Sequence, residues 1–321
     1  MRGMEQERRS EPEVSFFFSA HGIPEDYEGI KQAFKETDVF VIESHGWKEE
    51  ELQLLRSIAA GDKMPSHLAH GQAPRNINEF EEDLLFGSKK RIEIIDVPEG
   101  HPLQHEDDGT SAYFDVAERF IAQGNLEDTL ASFAENAKRN AEYLRKKDAF
   151  LKERLNALLD NLSKEPGRPL KVLVQMGSTH SEISHALRRT KIAQRVKNEM
   201  RFNYGDELVR TFRFDKQPSE ELLVHALFEK TVASLYHEAL YKIPYLKRVD
   251  FFRNTLAPVD RQKALVMGEL MENESFLRCI MAHEPDTRNT RASIFENAWK
   301  RVMGTDIASL IKDVAQQSDD R

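Results

Sequence analysis

Four short apolar runs, each ending abruptly in polar residues capable of chemistry, constrain this chain most. Val14-Ser15-Phe16-Phe17-Phe18 gives way to Ser19-Ala20-His21-Gly22, and Val39-Phe40-Val41-Ile42 to Glu43-Ser44-His45-Gly46. Arg91-Ile92-Glu93-Ile94-Ile95 stops at Asp96, and Leu170-Lys171-Val172-Leu173-Val174-Gln175-Met176 stops at Gly177-Ser178-Thr179-His180. Short runs of β-branched and aromatic residues fit strands buried on both faces, as in a parallel sheet covered by helices.

The intervening segments read as those helices. Pro24 opens the first, with Glu25 and Asp26 in a turn where negative charge meets the positive end of the dipole. It runs to about Thr37 and places Ile30, Ala33 and Phe34 on one face. Strand, helix and strand then make a right-handed βαβ unit, which is expected to set His21 beside Glu43 at one sheet edge. Residues 61–78, rich in Gly, Pro, His and Asn, read as a loop. From Tyr113 to about Leu162 the pattern is helical with a break near Gly124, and Leu144, Leu151, Leu155 and Leu158 form one stripe. Glu165-Pro166-Gly167-Arg168-Pro169 is a breaker. A helix is expected after His180 through about Arg195, and an edge strand over the alternating Val209-Arg210-Thr211-Phe212-Arg213-Phe214. From Ser219 onward the pattern is helical, with breaks near Pro244, Pro258 and Pro285.

These readings give an α/β fold: a mixed, mostly parallel sheet flanked by helices, with a helical C-terminal region. The expected division is a disordered tail over 1–13, an α/β core carrying the site over 14–215, and helices over 216–321, either packed on that core or separate.

Charge narrows the function classes. The 46 basic and 55 acidic residues are interleaved and leave a net charge of −9, which disfavours nonspecific nucleic-acid binding. The local basic group Arg188, Arg189, Lys191 and Arg195 reads as a solvated helix face. No apolar run approaches the ~20 residues of a membrane span. The charged N-terminus lacks the apolar region of a signal peptide, and the one cysteine, Cys279, excludes an internal disulfide. A cytoplasmic protein without membrane or nucleic-acid partners is expected, acting on a small-molecule or peptide substrate.

Binding sites of open parallel sheets form outside the carboxyl ends of the strands. His21 with Ser19, Glu43 with His45, Asp96, and His180 with Ser178 should therefore converge there. Two imidazoles and a carboxylate suit hydrolysis in either of two ways. They can hold a divalent cation (Zn, Mn or Fe) that acidifies a bound water, or a histidine oriented by Glu43 can deprotonate the water directly. Gly177 allows a sharp turn that exposes backbone amides. Because His180 stands beyond its strand, its removal is expected to spare the fold.

The segments FFFSAHGIPEDYEGIKQAFKETDVFVIES, RNAEYLRKKDAFLKERL and KVLVQMGSTH resemble the superfamily that joins TraB proteins, TIKI-type metalloproteases, ChaN-like proteins and erythromycin esterases. The shared pattern is a strand ending in G-x-x-H, a strand ending in Glu, an Arg-Asn or Arg-Asp pair opening a long helix, and a second G-x-x-H. The resemblance covers about two-thirds of the chain and implies an ester or amide hydrolase. It places His21 and His180 as metal ligands or bases, Glu43 as a ligand or orienter, and Arg139, paired with Asn140, as an anion stabiliser. Phe18 stands where the first motif has glycine. That departure favours the rival reading, a non-catalytic protein binding haem, a metal or a partner on the same fold.

Weaker constellations are His67 with His70, His101 with His105, and Cys279 with His283. The first two pairs lie in loops beside prolines and read as exposed, and Cys279 reads as a buried structural cysteine.

Overall fold

The computed structural model describes residues 11–19, 26–68, 79–106, 110–180, 183–184, 187, 193–195, 203–278 and 287–319. They divide into two compact units, one within Met1–Glu106 and Arg145–Met200, the other within Asp107–Leu144 and Arg201–Arg321. Residues 107–144 and 203–215, grouped above with the α/β core, thus cluster with the C-terminal helices.

The first unit is the α/β layer structure. Its strands are β1 (Glu13–Ser19), β2 (Val39–Ile42), β3 (Arg91–Ile94), β4 (Lys171–Gly177) and β5 (Ala193–Arg195), in the order β3-β2-β4-β1-β5. Every described pairing is parallel. One face is covered by α1 (Tyr27–Lys35), α2 (Glu49–Ala60) and α3 (Glu79–Leu85), which supply Ile30, Phe34, Leu52, Leu55, Ile58 and Leu85 against Phe17, Phe40, Ile42, Ile92 and Leu173. The opposite face receives the C-terminal half of α5 (Leu126–Leu162) together with Ile183 and Leu187.

Adjacency in the sheet departs from expectation. β1 and β2 are parallel, but β4 lies between them and pairs with both. β4 is buried at every position from Val172 to Gly177, and such a strand gains most from the centre of a sheet, where both faces are covered. Glu43 therefore sits beside the end of β4 rather than that of β1. The insertion also creates a topological switch point. The chain leaves β2 outward toward β3 and leaves β4 the other way toward β5, so the two exits diverge, the place where open α/β sheets characteristically bind ligands.

On α5 the buried face runs Leu151, Leu155, Leu159 and Leu162, drifting off the expected Leu158 as a helix of 3.6 residues per turn must. Two other segments differ from expectation. Ala193–Arg195 is strand, not helix. Residues 209–213 belong to α6 (Tyr204–Arg213), not to an edge strand. Asn203 caps α6 by accepting the Asp206 N–H at 2.7 Å, and Tyr204, Gly205, Leu208 and Val209 are buried at helical spacing. The alternation that suggested a strand spans too few residues to outweigh a capped helix start.

The second unit is helical. It holds α4 (Thr110–Gln123), residues 126–144 of α5, α6, α7 (Glu220–Leu235), α8 (His237–Tyr241), α9 (Tyr245–Leu256), α10 (Arg261–Phe276), α11 (Arg288–Met303) and α12 (Ile307–Asp319). Ser219 caps α7, accepting the Leu222 N–H. The apolar α7 is the centre of the core, with Phe228 against Phe120 and Phe295. No described helix is long and apolar enough to cross a membrane.

Candidate functional site

At the carboxyl ends of β2 and β4 lies a buried network of ionisable groups. The β2–β4 ladder continues past the strand, since Glu43 donates its backbone N–H to Gln175 O at 3.2 Å. Its side chain then turns onto the end of β4. Oε2 accepts the Gly177 N–H at 2.7 Å, while Oε1 lies 2.8 Å from Lys147 Nζ and 3.0 Å from His180 Nε2. His180 closes the short turn Ser178–His180 that follows β4, and its Nδ1 is hydrogen-bonded to Asp148 Oδ1. Asp96, just past β3, completes the set, its Oδ2 3.2 Å from Lys147 Nζ and its Oδ1 accepting the Val97 N–H at 2.6 Å. Glu43, Asp96, Lys147, Asp148 and His180 are all buried.

Burial by itself would strip the proton from His180, but Glu43 and Asp148 outweigh it and push the imidazole up to about 9. Both ring nitrogens face carboxylates, so at neutral pH the ring is an imidazolium and not a free base. Burial likewise works against the Lys147 ammonium, and Glu43 with Asp96 hold it above its ordinary range. Three carboxylates thus face two cations, and each cation bridges two carboxylates.

The expected site residues distribute as follows. Glu43, Asp96, Gly177 and His180 come together. His45 stands at the edge, its side chain 37% exposed and its Nδ1 3.9 Å from Asp96 Oδ1. Ser178 opens the turn that carries His180. His21 lies outside the described residues. Arg139 and Asn140 fall in the second unit, where Arg139 bonds Asn136 one turn back on α5. His180 is buried and joined to two carboxylates, so it belongs to the packing of the sheet end as well as to the site.

Lys147 and Asp148 were missed, and they are the cationic and anionic pair that meets Glu43 and His180. They follow Arg139-Asn140 by eight residues, about two helical turns. Within Arg145-Lys146-Lys147-Asp148 they are part of a charge run with no motif of its own. A signal was present nonetheless: positions 144, 148, 151 and 155 share one side of the helix, so the leucine stripe is interrupted by charge at its middle.

Of the other histidines, His67 faces Glu82 and Asp83 at 3.7 and 3.4 Å, and His101 accepts the Leu103 N–H and packs on Phe150. His70, Cys279, His283, Arg188, Arg189 and Lys191 lie outside the described residues. Comparisons with protein-family models, with curated proteins and with solved structures find no match to this chain.

A divalent cation needs carboxylate oxygens and neutral imidazole nitrogens that face it. Here Glu43 Oε1 is engaged by two cationic donors, Oε2 by a backbone amide, and both His180 nitrogens by carboxylates. The described donors therefore do not fit a metal, and among the described residues no group of three or more His, Cys, Asp or Glu side chains is arranged to hold one.

Proposed function

We propose that this chain is a hydrolase of ester or amide bonds whose active site lies at the carboxyl ends of β2 and β4. The observation that carries the reading is the network itself. Five ionisable side chains from three strand exits and one helix are buried together at a switch point. Buried ion networks gain little stability over apolar packing, and strongly shifted groups in a crevice mark functional sites. The superfamily resemblance, which rests on the same Glu43 and His180, supports the same reading.

In this mechanism a histidine takes a proton from water and the hydroxide attacks the carbonyl carbon. The tetrahedral intermediate then expels the alcohol or amine, which recovers the proton from the histidinium. His45 is the described histidine suited to that step, being half-exposed and facing Asp96. His180, held charged by Glu43 and Asp148, and Lys147 fix the field around the site instead of exchanging the proton.

A second reading, a non-catalytic binding protein on the same fold, draws on the mutual satisfaction of Glu43 and His180. Both oxygens and both nitrogens already hold partners within the chain. A panel of activated esters and short peptides, assayed with wild type, His45→Gln and Glu43→Gln, divides the two. Hydrolysis lost in both folded variants supports the hydrolase, and wild type inert across the panel, or variants as active as wild type, supports the binding protein.

A further inference from the structure

We infer that Lys147 is a built-in cation standing between the Glu43 and Asp96 carboxylates, where it takes the place of a divalent ion, so that the site works without a resident metal. The inference concerns the same site as the hydrolase reading but does not need that reading to be true.

The ammonium nitrogen lies 2.8 Å from Glu43 Oε1 and 3.2 Å from Asp96 Oδ2, joining the exits of β2 and β3 from one point. The third neighbour, the His180 ring, turns its Nε2 to the same Glu43 oxygen at 3.0 Å and is anchored behind by Asp148. A divalent ion at Glu43 would have to displace the ammonium and break the Glu43–His180 contact before gaining one ligand. A tethered cation loses no translational freedom on entering the site, whereas a free ion does. Lys147 is itself buried, at 7% exposure, so displacing it would require another place for its charge. Among the two lysines of this helical turn only Lys147 does this, since Lys146 reaches the half-exposed Glu106 instead.

The test uses the full chain and no substrate. Protein produced in medium supplemented with zinc, manganese and iron is assayed for bound metal. Zinc binding is then followed calorimetrically for wild type and Lys147→Ala at pH 7.5. Wild type should carry substoichiometric metal, and its melting temperature should not change with chelator. Lys147→Ala exposes Glu43 and Asp96 as paired carboxylates and should bind zinc at least about tenfold more tightly, equivalent to about 1.4 kcal/mol. One metal per wild-type chain, lost in Glu43→Gln, would overturn the inference and leave a metal-assisted hydrolase standing. Zinc affinity in a folded Lys147→Ala no greater than in wild type would overturn it too, because the ammonium would then not be what keeps the ion out. If Lys147→Ala does not fold, the wild-type metal content alone decides. Hydrolytic activity is read separately, so its absence counts against the function and not against the built-in cation.

Discussion

Replacing Lys147 by methionine keeps most of its length and volume while removing the charge, and it strands two buried carboxylates. The contacts at 2.8 and 3.2 Å each carry about 5–6 kcal/mol of Coulomb attraction at an effective dielectric of ~20, before desolvation is subtracted. Glu43 keeps His180 and the Gly177 N–H as partners, so the net loss should fall near the 3–5 kcal/mol typical of breaking a buried pair from one side. Lys146→Met is the matched control. Its ion pair with Glu106 is exposed, and it should cost less than about 1 kcal/mol. Because the chain has two compact units, unfolding is best followed in a Trp299→Phe background, where fluorescence reports Trp47 of the α/β unit alone. Urea midpoints at constant m-value then give the difference. A Lys147→Met deficit equal to that of Lys146→Met would refute the reasoning.

Further outcomes follow from the same geometry. His180 titrates near 9 folded against 6.5 unfolded, so its contribution is complete below about pH 6.5 and lost as pH rises through 9. Denaturant melts should show wild type losing about 3 kcal/mol over that window, with a flat profile in His180→Gln. In the helical unit, Glu229 accepts the Tyr204 N–H at the start of α6, and burial pushes its carboxyl up to about 7. Stability should therefore fall from about pH 4.5 to 7, and Glu229→Gln, which keeps a neutral acceptor, should exceed wild type by on the order of 2 kcal/mol at pH 8. Gly124 has φ of +64°, and a Cβ there would stand 2.1 Å from Gly268 O on α10. Gly124→Ala should lower the melting temperature by several degrees, about 2 kcal/mol or more, and an unchanged temperature would contradict this packing.

The sequence by itself determined the local elements and the strand exits. Short apolar runs named the four longer strands, and the prolines near 244 and 258 marked helix boundaries, because such signals act within a few residues. Glu43, Asp96, Gly177 and His180 were legible as site candidates because each directly follows a strand. Which of them touch was not legible. Strand order is set by packing across the whole sheet, and the insertion of β4 moved Glu43 from the neighbourhood of β1 to that of His180. Whether a helical lysine points to water or into the interior depends on what lies opposite it, so the roles of Lys147 and Asp148 emerge only when the helix is laid on the sheet. The exits were written in the chain, but the ion network that joins them is a property of the tertiary structure alone, because Glu43 and His180 lie 137 residues apart and only the sheet brings them within hydrogen-bonding distance.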